Sequence, residues 1–384
     1  MMKKIILFLF LAVCLVLFGV GLYEKGDNNK KDLEKTNSTF KTYDSSKGLF
    51  ADKYVFAKKK VKTMSLDEKI SQLLLVRYPD EDQVNILKKY QFGGYIFFSK
   101  DFKDKTKEEV IDMMNNLQRV SKVPILTAVD EEGGIVVRVS SNKNLRSEPF
   151  KSSQDLYKEG GFQKIKEDTI EKSSLLKSLG INLNLAPVVD ISTNPDDYMY
   201  KRTIGEDRNI TSKYAETVIG AGKNSGVSYT LKHFPGYGNN IDTHSHTSVD
   251  TRSYEDIMEN DIKPFEAGIK SGCESIMVSH NIVSSIDNEN TASLSKKVHD
   301  VLYKKLSFSG VVITDDLAMG ATKDIEDAAV KAVNAGNDLL IVTDYEKRFQ
   351  EIKNAINSGD ISEKRLNKSV TKLLAWKYYK GLIS

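Results

Sequence analysis

The chain has 384 residues, enough for one large hydrophobic core or two ordinary ones, with 40% hydrophobic and 28% charged residues and a formal net charge of +3. Lys and Glu are spread along the whole length without a basic block, so nothing favours nucleic-acid binding. The two cysteines, Cys14 and Cys273, lie far apart and exclude a disulfide scaffold, although an oxidising compartment stays open.

In chain order, MMKK precedes an uninterrupted apolar run of 19 residues, Ile5 to Tyr23. That run is long enough to span a bilayer and long for a signal-peptide core. No A-x-A site follows it, and Val13 before Cys14 argues against a lipoprotein site. Residues 1–23 therefore read as a membrane anchor or a cleaved signal, with the body exported. Lysines on both sides leave the charge bias neutral. Residues 24–63 read as a polar tether and lead-in, flexible up to Lys47. The body then runs over 64–384 as one catalytic domain.

Within it, short apolar runs alternate with amphipathic ones. The strand candidates are LLLVRY (from Leu73), GGYIFFS (from Gly93), PILTAVD (from Pro124), LNLAPVVD (from Leu183) and VSYTLKHF (from Val227). ESIMVSH (from Glu274), GVVITDD (from Gly310) and NDLLIVTD (from Asn337) complete eight. Helical patterns such as KEEVIDMMNNLQRVS separate them. Near-continuous apolar strands between helices indicate a parallel sheet covered on both faces. Eight such units predict an α/β fold of the (β/α)8 TIM-barrel type, with an open doubly wound sheet as the competitor. Nearly every strand ends in a reactive group: Asp130, Asp190, Lys232 with His233, His280, Asp315 and Asp344. An aspartate after a strand can be a mere helix cap. Six strand ends together predict a shared polar site on the C-terminal rim of the barrel. Four of the five histidines belong to that rim, whereas His299 in KKVHDVLYKKL reads as a helix-surface residue.

Two constellations carry chemistry. In ITDDL, period-two alternation aims Asp315 and Asp316 in opposite directions, one toward the barrel axis and one toward a helix start or a neighbour. In LKHFPGYGNNIDTHSHTSVD, the D-T-H step places Asp242 beside His244, so that the carboxylate can hold one imidazole nitrogen and leave the other for proton transfer. A nucleophilic carboxylate on a strand and a proton donor on a loop suit glycoside hydrolysis with retention. The rival is a metal hydrolase, with His244, His246, His233, His280 and the aspartates as ligands. A Gly/Asn-rich loop is a poor seat for rigid ligands and Lys232 would repel the ion, so no metal is assigned. Neither a Walker loop nor G-x-G-x-x-G is present, and no cofactor is expected.

These residues resemble glycoside hydrolase family 3, specifically its single-barrel β-N-acetylglucosaminidases, over about Ser65 to Lys380. SLDEKISQLLL, GGYIFFS, VDEEGGIVVR, APVVDI, KRTIG, LKHFPGYG, IMVSH, ITDDLAM and AGNDLLIV stand in the family's order. The resemblance implies Asp315 as nucleophile and His244 as acid/base with Asp242 as its dyad partner. Asp130, Arg202, Lys232 and His233 would bind the sugar hydroxyls and N-acetyl group, with Arg138 a further candidate. The chain departs from the pattern in three places: Ile135 replaces the arginine after the double glycine, Tyr237 stands where histidine is common, and the loop from Gly238 to Asp242 is one residue shorter. No second domain follows the barrel, which implies the N-acetylglucosaminidase branch acting on GlcNAc-containing cell-wall oligosaccharides. Phosphorolysis is the alternative, because a histidine acid/base repels phosphate less than a carboxylate does. A β-glucosidase and a non-cleaving sugar-binding barrel are the remaining readings.

Overall fold

The computed structural model describes residues 48–238 and 248–384. All eight expected strands form: β1 (Leu74–Arg77), β2 (Gly94–Phe97), β3 (Leu126–Val129), β4 (Leu183–Asn184), β5 (Ser228–Phe234), β6 (Ser275–Val278), β7 (Val311–Thr314) and β8 (Leu340–Val342). They lie side by side in one parallel sheet in the cyclic order of the sequence, beginning with β8 beside β1. A bridge between Ile313 and Leu339, with Thr314 N donating to Leu339 O at 3.1 Å, joins β7 to β8 and closes the ring. This is the (β/α)8 barrel, not the open sheet. All residues of β2, β3, β6 and β7 are buried, which is why the sequence shows continuous apolar runs instead of alternation.

β4 is shorter than its apolar run. Pro187 cannot donate to a ladder, so regular pairing stops at Asn184 and resumes only as a bridge between Val188 and Lys232. Helix starts follow local chemistry: Ser65 with Glu68 and Thr106 with Glu109 form capping boxes.

The end of the barrel where the strands begin is tied together by the C-terminal helix, Glu363–Tyr379. Lys372 Nζ lies 2.6 Å from Asp338 Oδ2, just before β8, and Trp376 Nε1 donates to Glu274 Oε2 at 2.7 Å, just before β6. Lys377 Nζ donates to Gln72 Oε1 and Gly93 O, both at 2.9 Å, beside the starts of β1 and β2. The helix Tyr54–Val61 packs on the same C-terminal helix. Phe50, Tyr54, Ala57 and Val61 are buried, and the Phe50 ring lies 5.3 Å from that of Tyr379. The later part of the 24–63 lead-in thus belongs to the folded body. The apolar segment 5–23 lies outside the described residues; among those described, no helix is long and apolar enough to cross a membrane.

The expectation for His299 is corrected. The residue is buried, with Nδ1 2.8 Å from Ser295 O and its ring packed against Gly336. The lysines around it face solvent on the other side of the helix, and a glycine opposite makes room for the imidazole.

Candidate active site on the barrel rim

The loop leaving β3 is shaped by Glu131, whose buried carboxylate accepts the backbone N–H groups of Arg138 and Val139 at 2.8 and 2.7 Å. Gly133 has φ +103°, and a Cβ there would lie 2.2 Å from Lys151 O, so only glycine permits the turn. This folding brings Asp130 and Glu132, on either side of Glu131, to the barrel mouth.

β5 supplies the matching cation. Its pairing with β6 shifts register between Leu231 and Phe234, and such an irregularity re-aims side chains at a strand end. The Lys232–His233 peptide is cis. Lys232 Nζ lies 2.6 Å from Asp130 Oδ1 and 2.8 Å from Glu132 Oε1. Arg202, from the turn Tyr200–Arg202, grips Glu132 with both arms of its guanidinium: Nε to Oε2 at 3.0 Å and Nη2 to Oε1 at 2.7 Å. The same Nη2 is 3.5 Å from His233 Nε2. His233 Nδ1 lies 2.8 Å from Asp190 Oδ2, and a carboxylate only accepts, so that nitrogen carries the proton. Asp190 also accepts Tyr237 N–H at 2.8 Å. Tyr237 is itself buried and packs behind His233 with ring centres 5.8 Å apart.

Burial penalises the charges on Glu132, Arg202 and Lys232, and their mutual pairing outweighs the penalty. Burial alone would raise the Glu132 carboxyl, but the charges and hydrogen bonds of Arg202 and Lys232 hold it far below the usual carboxylate range. Lys232, likewise penalised by burial, is held above its ordinary value by Asp130 and Glu132. The result is a neutral-sum cluster of two cations and two carboxylates at a barrel mouth. Such a cluster adds little to stability for its cost, but it presents fixed donors and acceptors of the kind that recognise a polyol.

Across the mouth, β7 ends in the predicted nucleophile. Burial acts to raise the Asp315 carboxyl, yet the fields of His280, His233 and Lys232 and the N–H of Asp316 bring it below its ordinary value. That N–H donates to Asp315 Oδ1 at 2.8 Å, so the carboxylate is both ionised and oriented. Asp316 turns the other way, as alternation requires. Its Oδ1 accepts Ala318 N at 2.9 Å and its Oδ2 accepts the Thr343 hydroxyl at 2.9 Å, while burial raises its pKa. Asp344 pairs with Arg348 of the following helix at 3.1 Å and is not part of the cluster.

Asp130, Arg202, Lys232 and His233 are thus brought together. Among the described residues no ion pair joins Arg138 to them; its guanidinium carbon lies 5.4 Å from the Phe98 ring, and its buried Nε has no hydrogen-bond partner. Ile135 is exposed at the tip of the same loop. Asp242, His244 and His246 lie outside the described residues. The segments flanking them are fixed: a Cβ on Gly238 would lie 2.7 Å from the Arg252 guanidinium, which holds Asp250 at 2.7 Å and Asp261 at 2.8 Å. Among the described residues, no three His, Cys, Asp or Glu side chains are grouped as metal ligands.

Glu132 is the residue that sequence reasoning missed. Its signal was its place in VDEEGG, two residues after Asp130, but its partners arrive from a turn 70 residues away and a strand 100 residues away. Asp190 and His280 stood out as strand-end groups without an assigned role.

The model of the glycosyl hydrolase family 3 N terminal domain matches residues 65–376. A beta-hexosaminidase of Xylella fastidiosa (strain M12) is 27% identical over 267 residues, covering 68% of this chain and 78% of that protein. Among solved structures, a glycoside hydrolase family 3 beta-N-acetylglucosaminidase from Paenibacillus sp. str. FPU-7 superposes with a TM-score of 0.78 at 28% identity. That match covers 83% of this chain, which spans only 63% of the Paenibacillus chain. M tuberculosis LpqI superposes with a TM-score of 0.74 at 25% identity, over 83% of this chain and 95% of its own. With a closed barrel, a charged rim and a family match over most of its length, the chain belongs to glycosyl hydrolase family 3 and carries that family's N-terminal domain.

Proposed function

We propose that the protein is a retaining exo-β-N-acetylglucosaminidase that removes terminal β-linked GlcNAc from cell-wall fragments. The observation that carries this reading is the ionised, oriented Asp315 carboxylate facing a neutral-sum cation–carboxylate cluster across one barrel mouth. The hexosaminidase names of the relatives support the choice of sugar.

In this mechanism Asp130, Lys232, Arg202 and His233 grip the ring hydroxyls and N-acetyl group and fix C1 over Asp315. One Asp315 oxygen attacks C1 as the glycosidic bond breaks, and His244 gives its proton to the leaving oxygen. Asp242 orients the imidazole and stabilises its charged form. Water then attacks C1 of the glycosyl-enzyme, His244 takes its proton, and Asp315 departs. The hemiacetal leaves with its β configuration retained. Imidazole suits this cycle because it both gives and takes a proton near neutral pH without the burial that a carboxylic acid would need.

The test uses protein beginning at Gly48. It should cleave aryl β-GlcNAc in preference to aryl β-glucoside, release β-GlcNAc first by NMR, and cleave GlcNAc–MurNAc disaccharide. Its rate should be indifferent to added phosphate. His244→Ala should lose most activity on the disaccharide, keep far more on an activated aryl glycoside, and yield β-azide product with azide. An inverted product, a phosphate-dependent rate or equal losses on both substrates would overturn the reading.

A further inference from the structure

One buried histidine at the rim has no part in that mechanism. His280 leaves β6 two residues after its last paired residue and is fully buried. Its Nε2 is 3.0 Å from Asp316 O, and a carbonyl only accepts, so Nε2 carries a proton directed at the carbonyl of the residue that follows the nucleophile. The N–H of the same residue, Asp316, donates to Asp315 Oδ1 at 2.8 Å. The imidazole therefore clamps Asp316 by its carbonyl while Asp316 holds the Asp315 carboxylate by its amide.

The seat of the ring is rigid. His280 Nδ1 is 2.7 Å from Ser293 Oγ. Ser293 donates its backbone N–H to Ser279 O at 2.9 Å, and its carbonyl accepts Asn337 Nδ2 at 2.7 Å, just before β8. The ring thus draws on β6, the 3-10 turn Ala292–Leu294 and the approach to β8, all converging on Asp316.

We propose that His280 is a positioning residue that fixes Asp315 for attack through the backbone of Asp316, without touching the sugar. This rests on Asp315 being the nucleophile. The groups whose fields lower Asp315 are His280, just after β6, and His233 and Lys232 from β5, with the neighbouring carboxylate Asp316 acting the other way on the same turn. Loss of His280 removes one of three positive influences as well as the clamp, so Asp315 becomes misaligned and harder to ionise.

The experiment compares wild type, His280→Ala, His280→Gln and Asp315→Asn on 2,4-dinitrophenyl β-GlcNAc. Its leaving group needs no proton, so kcat/KM reports nucleophilic attack apart from acid catalysis. His280→Ala should lose kcat by up to about 100-fold, the scale of a misplaced reacting group. KM should change less than about threefold, and the acid limb of kcat/KM should move to higher pH. His280→Gln, which retains an N–H donor, should recover most of the rate. It also carries the test should the alanine variant not fold. An unmoved acid limb in a folded variant, a KM rise matching the loss of rate, or a glutamine variant as poor as alanine would overturn the inference. If Asp315→Asn keeps activity, the nucleophile assignment fails instead, and the two failures are distinct.

Discussion

Replacing Glu132 with glutamine removes a negative charge from between Lys232 and Arg202 while keeping the side-chain volume. In the native site Oε1 accepts from Arg202 Nη2 at 2.7 Å and Lys232 Nζ at 2.8 Å, and Oε2 accepts from Arg202 Nε at 3.0 Å. An amide has one accepting oxygen, so at least one of these donors meets an N–H group instead. Lys232 keeps Asp130 at 2.6 Å, whereas Arg202 is left with His233 Nε2 at 3.5 Å and the Met199 sulfur at 3.7 Å. The cost falls on Arg202. Stripping one partner from a buried pair costs roughly 3–5 kcal/mol, and the low end applies because the isostere still accepts two bonds. About 3 kcal/mol felt in the transition state corresponds to roughly a 100-fold loss in kcat/KM. The pH dependence has a definite sign. Glu132 is depressed below its ordinary 4.5, so its stabilisation is fully present above that pH and is lost as pH falls through the folded value. Urea unfolding of wild type and Glu132→Gln should therefore show a constant gap from pH 5 to 8 that narrows below pH 4.5. A gap under about 0.5 kcal/mol at pH 7, with kcat/KM unchanged, would refute the charge-hub argument.

The adjacent aspartates should separate cleanly: Asp315→Asn loses turnover by several orders of magnitude in steady-state assay, while Asp316→Asn, which disturbs the contacts to Ala318 and Thr343, keeps measurable activity. The reverse outcome would move the nucleophile. Lys377→Met tests the far end of the barrel. Burial lowers Lys377 from 10.5 to about 7, and its two acceptors match the two N–H groups of a neutral amine. Between those pH values the unfolded chain holds more protons, so native stability should rise with pH by about 5 kcal/mol from this residue, and the methionine variant should lack that rise in urea unfolding. Protein beginning at Gly48 should be folded and active, whereas protein beginning at Met64, which lacks Phe50, Tyr54, Ala57 and Val61, should unfold at clearly lower temperature in calorimetry.

How much of this was legible depends on how far apart the interacting residues lie. The barrel was readable because a strand buried on both faces leaves a local trace, an apolar run such as VVIT closed by a polar residue. Asp130, Lys232, His233 and Asp315 were readable for the same reason, since strand termination is a local event that a barrel converts into proximity. Where local signals mislead, the errors share a cause. His299 reads as a surface residue among Lys296, Lys297, Lys304 and Lys305, but its burial is decided by Gly336 on another element. The run YVFAKKKV reads as part of a polar lead-in, but its partner is the C-terminal helix, more than 300 residues later.

The same reasoning explains why the electrostatics of the rim had to come from the fold. A lone Glu132 on a loop is ordinarily a solvated carboxylate; it is drawn into the cluster because Arg202 reaches it from a turn and Lys232 from β5. Burial disfavours the charge on both Lys232 and Glu132, and each is held in its charged form by the opposite charges beside it. A neutral substitution in the cluster therefore leaves its partners short of an opposing charge. That interdependence also reaches Asp315, whose ionisation draws on Lys232 and His233 across the mouth. The groups proposed to hold the sugar and the proposed nucleophile are thereby coupled through charge, so a variant that loosens the grip on the sugar should also make attack harder.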